Sequence, residues 1–415
     1  MPRCGKLILA RDSQARGVTM SEPLSSLQPD RLMQHVQALC KGIGARPACS
    51  PQERRAAEYV QIVLRAIGVE HTAVQPFRSH TTLGAQVLPT LGSAALAALS
   101  GRKRADRLRA AALSALSAFN LRGILSAKPP FFQPLIALGK SQNVIATLPP
   151  RGDVKRQVYL VAHLDSGKQR FTLPTPAPEL LKPLTTLVIG ALFANALIQL
   201  RRVFLRRPRR GLWDALFAAL TFGALAAQIN DERQPFIEGA NDNASGVGVL
   251  LGLAEALSLA PLANTQVTFL FTGCAEAGCI GIARYLEQFQ PPRFNSYFIV
   301  FEMVSGSNLC YVIKHGVTAF GEYAPDPELL SVARRAAVQH PQVAGREVLS
   351  LDELAVIARM GYRGLALTGY DQEGRLPDWH RASDTLQRVQ AGALSRAAHF
   401  GYALLQEIDR SAQAD

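Results

Sequence analysis

Three short apolar runs, at residues 158–162, 267–272 and 297–301, constrain this chain more than anything else in it. Each is rich in β-branched or aromatic residues and too short for a buried helix, so each reads as a strand covered on both faces. Each leads into a residue that carries chemistry: His163, Glu276 and Glu302. Helical patterns lie between them, among them the apolar stretch 247–257 that follows the Gly-rich segment 239–246. Buried strands alternating with helices predict an α/β fold with a mostly parallel central sheet flanked by helices. Residues at the strand ends would then share one edge of that sheet.

Two more residues join the set. Asp242 sits in the Gly-rich loop, and His380 precedes Arg-Ala-Ser-Asp384-Thr. Two imidazoles and three carboxylates suit Zn²⁺, with Mn²⁺ or Co²⁺ as alternatives. Asp165, two residues past His163, is placed to orient its ring. Singly, each residue has a plainer reading. A His after a strand is usually a core residue, an Asp before Asn is usually turn chemistry, and a Glu after a strand is usually solvated. Together and in this order they predict the metal ligands His163, Asp242, Glu276, Glu302 and His380.

The words HLDS (163–166), GANDNASG (239–246), FTGCAEAG (271–278), FEMVSG (301–306) and WHRASDT (379–385) make the chain resemble the co-catalytic zinc aminopeptidases. These include bacterial leucyl aminopeptidase, aminopeptidase Y and plasma glutamate carboxypeptidase. The segment 44–51, leading into 54–60, resembles the family's opening helix. The resemblance covers 35–78, 141–168 and 236–408. It implies two Zn²⁺ ions bridged by Asp242, with Glu276 and His380 completing one position and His163 and Glu302 the other. It also implies a cis Asp242–Asn243 bond. Glu302 stands where many members have Asp, a mild departure. Ala275 is a serious one, because the family has a Glu there that acts as general base on the bridging water. Such a base contributes about 10²–10⁴-fold.

Two stretches fall outside the resemblance and are expected to form hydrophobic insertions, 79–140 and 169–235. The second holds an uncharged run at 183–200, then Arg201, Arg202, Arg206, Arg207, Arg209 and Arg210, then a second apolar run to Ala227. Its first run approaches the ~20 residues that span a bilayer, so it predicts a transmembrane helical hairpin with Trp213 at the interface. The first insertion repeats the plan around Arg102, Lys103, Arg104, Arg107 and Arg109, with Pro89 weakening its first run. The two Arg-rich connections hold ten of the net thirteen positive charges. That placement fits lipid headgroups and a cytoplasmic side for both loops, not a nucleic-acid surface. A cap of buried helices over the site is the alternative.

Six cysteines are too few for a disulfide scaffold in 415 residues. Cys274 and Cys279 flank the metal loop and are candidates to pair in an oxidising compartment. Residues 1–34 read as a poorly ordered N-terminus without a secretory apolar core. The metallopeptidase-like domain is then 35–78, 141–168 and 236–415. The sequence thus predicts a membrane-attached zinc aminopeptidase acting on peptides, its catalytic domain extracytoplasmic, with no nucleic-acid partner and no reading of oligomeric state. Two other readings stand beside it: an inactive homologue kept as a binding module, and an acyl transferase of glutaminyl-cyclase type.

Overall fold

The computed structural model describes residues 22–99, 101, 103–128, 133–173, 178–205 and 211–414. Expectations for 1–21, for the Pro-Phe-Phe segment at 129–132, and for Arg102, Arg206, Arg207, Arg209 and Arg210 lie outside them.

Eight strands form one sheet: β1 (His71–Ser79), β2 (Gly139–Leu148), β3 (Arg156–His163), β4 (Thr265–Thr272), β5 (Ser296–Glu302), β6 (Asn308–His315), β7 (Val343–Val348) and β8 (Arg363–Tyr370). Their order is β1-β2-β4-β3-β5-β8-β6-β7. The four central strands β4, β3, β5 and β8 run parallel. Antiparallel pairs flank them, β2 on β4 at one side and β6 on β8 at the other. The parallel strands are the ones buried on both faces, which is why they read as unbroken apolar runs. Helices Pro29–Gly42, Gly246–Leu259 and Ala391–Ala414 cover one face.

The N-terminal boundary differs from expectation. The helix Pro29–Gly42 begins inside the stretch expected to be poorly ordered. Leu27, Leu32, Val36 and Leu39 are fully buried in the main core. A stripe of apolar residues at helical spacing, started by Pro29, outweighs the polar composition around it.

Both insertions leave and re-enter the sheet domain at paired residues. Ser79 pairs with Gly139 across the β1–β2 ladder, and Lys168 bridges Phe236. The first insertion holds helices α1 (Gly84–Ala98) and α2 (Arg104–Ile124), and the second holds α3 (Leu181–Val203) and α4 (Leu212–Arg233). The second insertion is not a self-packed hairpin. α3 packs along α2 and α4 along α1, while α3 and α4 scarcely touch. The four helices share one apolar core that includes Leu91, Leu121, Ile189 and Phe217. Asn195 on α3 donates to Ser114 on α2 at 2.7 Å in the buried interior. Small and polar side chains at this seam let the helices approach closely, and that pairing wins over the one sequence proximity suggests.

Of the described helices, α3 and α4 are long and apolar enough to cross a membrane. At 15 residues α1 is about 22 Å long, short of the ~30 Å hydrocarbon layer.

Candidate metal centre

All five expected ligands lie past the C-terminal ends of the parallel strands or on a helix entry beside them. His163 and Glu302 are the last residues of β3 and β5. Glu276 follows β4, and His380 lies on the loop after β8. Asp242 stands before the helix Gly246–Leu259. Gly239 enters this loop at φ +64°, where a Cβ would lie 2.5 Å from the Asp242 carbonyl oxygen, so no larger residue fits. The Asp242–Asn243 bond is cis.

The geometry is that of two triads sharing one carboxylate. His163 Nε2 is 3.2 Å from Asp242 Oδ1 and 3.2 Å from Glu302 Oε1. His380 Nε2 is 3.4 Å from Asp242 Oδ2 and 3.1 Å from Glu276 Oε1. Within each triad the donor atoms lie within 4.8 Å of one another. Both Asp242 oxygens are buried, and no hydrogen bond of ordinary geometry reaches either. A buried carboxylate that faces only two imidazole nitrogens, outside ordinary hydrogen-bond geometry, is costly unless those rings are protonated or a metal ion sits there. Each triad can therefore hold one divalent ion, and the donor set fits zinc.

The charges around the gap say the same. Burial pushes the Glu302 carboxyl up to about 8 against the pull of His163. Burial also works to lower the His380 imidazole, but Glu276 and Asp242 outweigh it and raise it to about 9. Burial pushes the Asp242 carboxyl up, yet His163 and His380 win and hold it below the usual carboxylate range. Without cations this cluster holds protons in their place. Binding requires neutral imidazole and ionised carboxylate. Zinc affinity is therefore expected to rise with pH through the 8–9 region, as Glu302 and His380 lose protons, and to fall on acidification. Competition titrations with a chelating dye at pH 6.5 and 8.5 check this; equal affinities at both would contradict it.

Supporting residues fix the ligands. His163 Nδ1 lies 3.0 Å from the Asp165 carbonyl oxygen and 3.5 Å from its carboxylate. The Asp165 carboxylate mainly accepts from the Ala275 and Glu276 amides, at 3.0 and 2.9 Å, so it anchors the loop of one metal position while its backbone orients the ligand of the other. Asp384 accepts from the Asn241 and Asp242 amides at 2.6 and 3.1 Å. Cys274, Met303 and His380 hold φ of 58°, 49° and 52°. Such non-glycine outliers collect at functional sites.

Several residues carry roles the sequence did not reveal. Arg46, 1% exposed, donates to the carbonyls of Leu164, Glu238 and Gly239, tying β3's end to the Gly-rich loop. Glu53 receives the Cys274 amide at 2.9 Å. Asp352 and Glu353 line the same cavity as the five ligands and Ala275. The run of apolar residues after Glu353 marks a helix, and nothing in it shows which way the first turn points. Cys274 and Cys279 are free thiols, and the sulfur beside Cys274 is Cys49, at 3.6 Å. Glu238, on the loop before Gly239, accepts from the Leu386 amide at 2.9 Å and is not among the cavity-lining residues.

This sheet, with five candidate ligands near the C-terminal strand ends, is the α/β fold of zinc aminopeptidases. Residues 213–404 match the model of peptidase family M28. That span includes Asp242, Glu276, Glu302 and His380, while His163 precedes it. The structure is similar to BSAP, a zinc aminopeptidase from Bacillus subtilis, at 14% identity over 92% of this chain and 95% of that one, with a TM-score of 0.55. It is equally similar to Bacteroides thetaiotaomicron glutaminyl cyclase, at 14% identity over 92% and 98%, TM-score 0.55. Both likenesses concern the fold. In sequence, 198 residues are 25% identical to the "Probable lipoprotein aminopeptidase LpqL" of Mycobacterium tuberculosis, 40% of this chain and 39% of that protein's length.

Proposed function

We propose that the protein is a membrane-attached, two-metal amide hydrolase, most simply an aminopeptidase that removes an N-terminal residue. The observation that carries this is the placement of Asp242 between His163 and His380, with neither of its oxygens hydrogen-bonded. When bound, the ions supply Lewis-acid polarisation of the scissile carbonyl and activation of a water molecule. The chain's own residues do the rest. His163 and Glu302 hold one position, Glu276 and His380 the other, and Asp165 keeps the Glu276 loop in register with His163.

The reaction also needs a proton acceptor beside the water. Ala275 lines the cavity and offers only a methyl group. Glu353 lines it too, is 1% exposed, and has no hydrogen bond of ordinary geometry at either oxygen. Burial pushes its carboxyl up to about 7, opposed by nearby His163 and Thr272. Glu353 is the carboxylate we assign as acceptor. A second reading, a non-hydrolysing relative that binds through the same centre, draws its support from Ala275. Metal content measured together with release of an N-terminal residue separates the two, and cyclisation of an N-terminal Gln peptide tests the acyl-transfer alternative.

Membrane attachment rests on α3 and α4 and on their exposed apolar residues, Leu187, Leu197, Leu216 and Phe222 among them. Arg107 near the start of α2 donates to the Arg202 carbonyl near the end of α3 at 2.8 Å. That contact sets the start of α2 and the end of α3, with their described basic residues, at one end of the bundle, which the positive-inside rule assigns to the cytoplasm. Lys103→Cys and Arg201→Cys, made where Cys4 and Cys49 are Ser, should resist an impermeant thiol reagent in intact cells. Gln387→Cys should react. Labelling of all three, or recovery of the protein in the soluble fraction, rejects the arrangement.

A further inference from the structure

We propose that the substrate is an N-acylated amino acid or peptide whose alkyl chain lies between the insertion helices while its amide carbonyl sits at the metal centre. This rests on the reading of the centre as a two-metal amide hydrolase, and it puts an acyl group where an aminopeptidase would take an N-terminal residue. The insertions are not needed to carry the ligands, since all five come from the sheet domain. What they add is the wall of the cavity, about 300 Å³, into which the ligands face. One end of it is polar, with His163, Asp242 and Glu276. The other is built from Val87 and Leu91 of α1, Leu121 of α2, Val188 of α3 and Ala224 of α4.

The shape and polarity of that second end decide the occupant. From Leu83 to Leu91 the wall follows about 12 Å of helix axis, longer than a single amino-acid side chain. Among the described helix residues there, Thr185 and Gln228 bring the only polar side chains, and both are engaged, Thr185 with the Leu181 carbonyl and Gln228 with Glu232. A peptide continuing into this end would bury N–H and C=O groups without partners, at a cost of several kcal/mol each. Hydrocarbon carries no such cost. On the other side, Leu173, Leu181 and Trp379 are shared with a second cavity of about 460 Å³ whose far wall bears Arg346, Glu347 and Arg375. An alkyl chain inward and a polar amino-acid head outward match this division. The exposed apolar faces of α2 and α3, at Phe119 and Leu197, suit delivery from a lipid surface.

The chemistry balances with water alone. The amide C–N bond breaks, a C–O bond forms to the water oxygen, and the departing nitrogen gains a proton. A fatty carboxylate and a free amine leave.

Photolabelling of the full chain in phosphatidylcholine nanodiscs tests the assignment without requiring turnover. The probe is N-dodecanoylglycine with a diazirine near the chain end, compared with a phosphatidylcholine carrying the same group. The expected result is labelling at Val87, Leu91, Leu121 or Val188 by the glycine conjugate. Unlabelled N-acylglycines should compete, with affinity rising roughly three- to four-fold per methylene until the cavity is full. Leu91→Trp and Val188→Trp should lower the chain length at which that rise stops. Labelling confined to outward positions such as Phe119 and Leu197 overturns the proposal. So does labelling inside by the phospholipid alone, or an unchanged chain-length profile in Trp variants that keep wild-type metal content and helicity. Internal labelling of a protein that holds no metal and cleaves no amide would instead overturn the hydrolase reading and leave the acyl site standing.

Discussion

Asp242→Ala is expected to empty both metal positions at once. The two triads share only this residue, one oxygen facing His163 and the other His380. Removing it leaves each position with one imidazole and one carboxylate, too few to hold a divalent ion tightly. Metal analysis of purified protein should fall from about two ions per chain to none, where about two is the content of two-metal sites with ions ~3.5–4 Å apart. His380→Ala should remove about one, because His163, Asp242 and Glu302 remain as a triad. Retention of both ions by Asp242→Ala would falsify the shared-carboxylate arrangement. A wild type that takes up no tightly bound metal from excess zinc would remove the metal centre altogether.

In a Glu353→Gln background, where the acceptor assigned above is lost, Ala275→Glu is expected to raise amide hydrolysis by about 10²–10⁴-fold, the usual worth of a positioned general base. Ala275 lines the cavity beside Glu276, and its amide is already held by Asp165, so the new side chain starts from a fixed backbone. Metal content should not change, since no ligand is added or lost. Glu353→Gln is the companion measurement. If Glu353 serves as acceptor in the wild type, this near-isosteric change should cost a similar factor in kcat and leave metal content intact. Brisk wild-type turnover that neither substitution alters would mean that both positions are misassigned and the proton leaves by another route.

The strand runs were legible because each leaves a local mark, and the five candidate ligands that the sequence singled out converge in two groups able to hold a metal. β3, β4 and β5 are buried on both faces and so are continuously apolar. Gly239 and Gly246 sit where the backbone comes within reach of Asp242 and Phe301, which only glycine permits. The helix Pro29–Gly42 was hidden by its polar exposed face, although Leu32, Val36 and Leu39 keep helical spacing.

The tertiary structure alone decided everything that depends on which surfaces meet. Sequence proximity joins α3 to α4, but α3 lies on α2 and α4 on α1, because helix pairing follows complementary faces and not chain order. Glu353 opens an ordinary-looking helix, and only the fold points it into the cavity. Arg46 reaches its carbonyl partners across more than a hundred residues. Cys274 meets Cys49, not its near neighbour Cys279, for the same reason. Residue type and local period belong to the sequence. Long-range contact is set by how apolar faces bury one another, and no short window of sequence contains both faces.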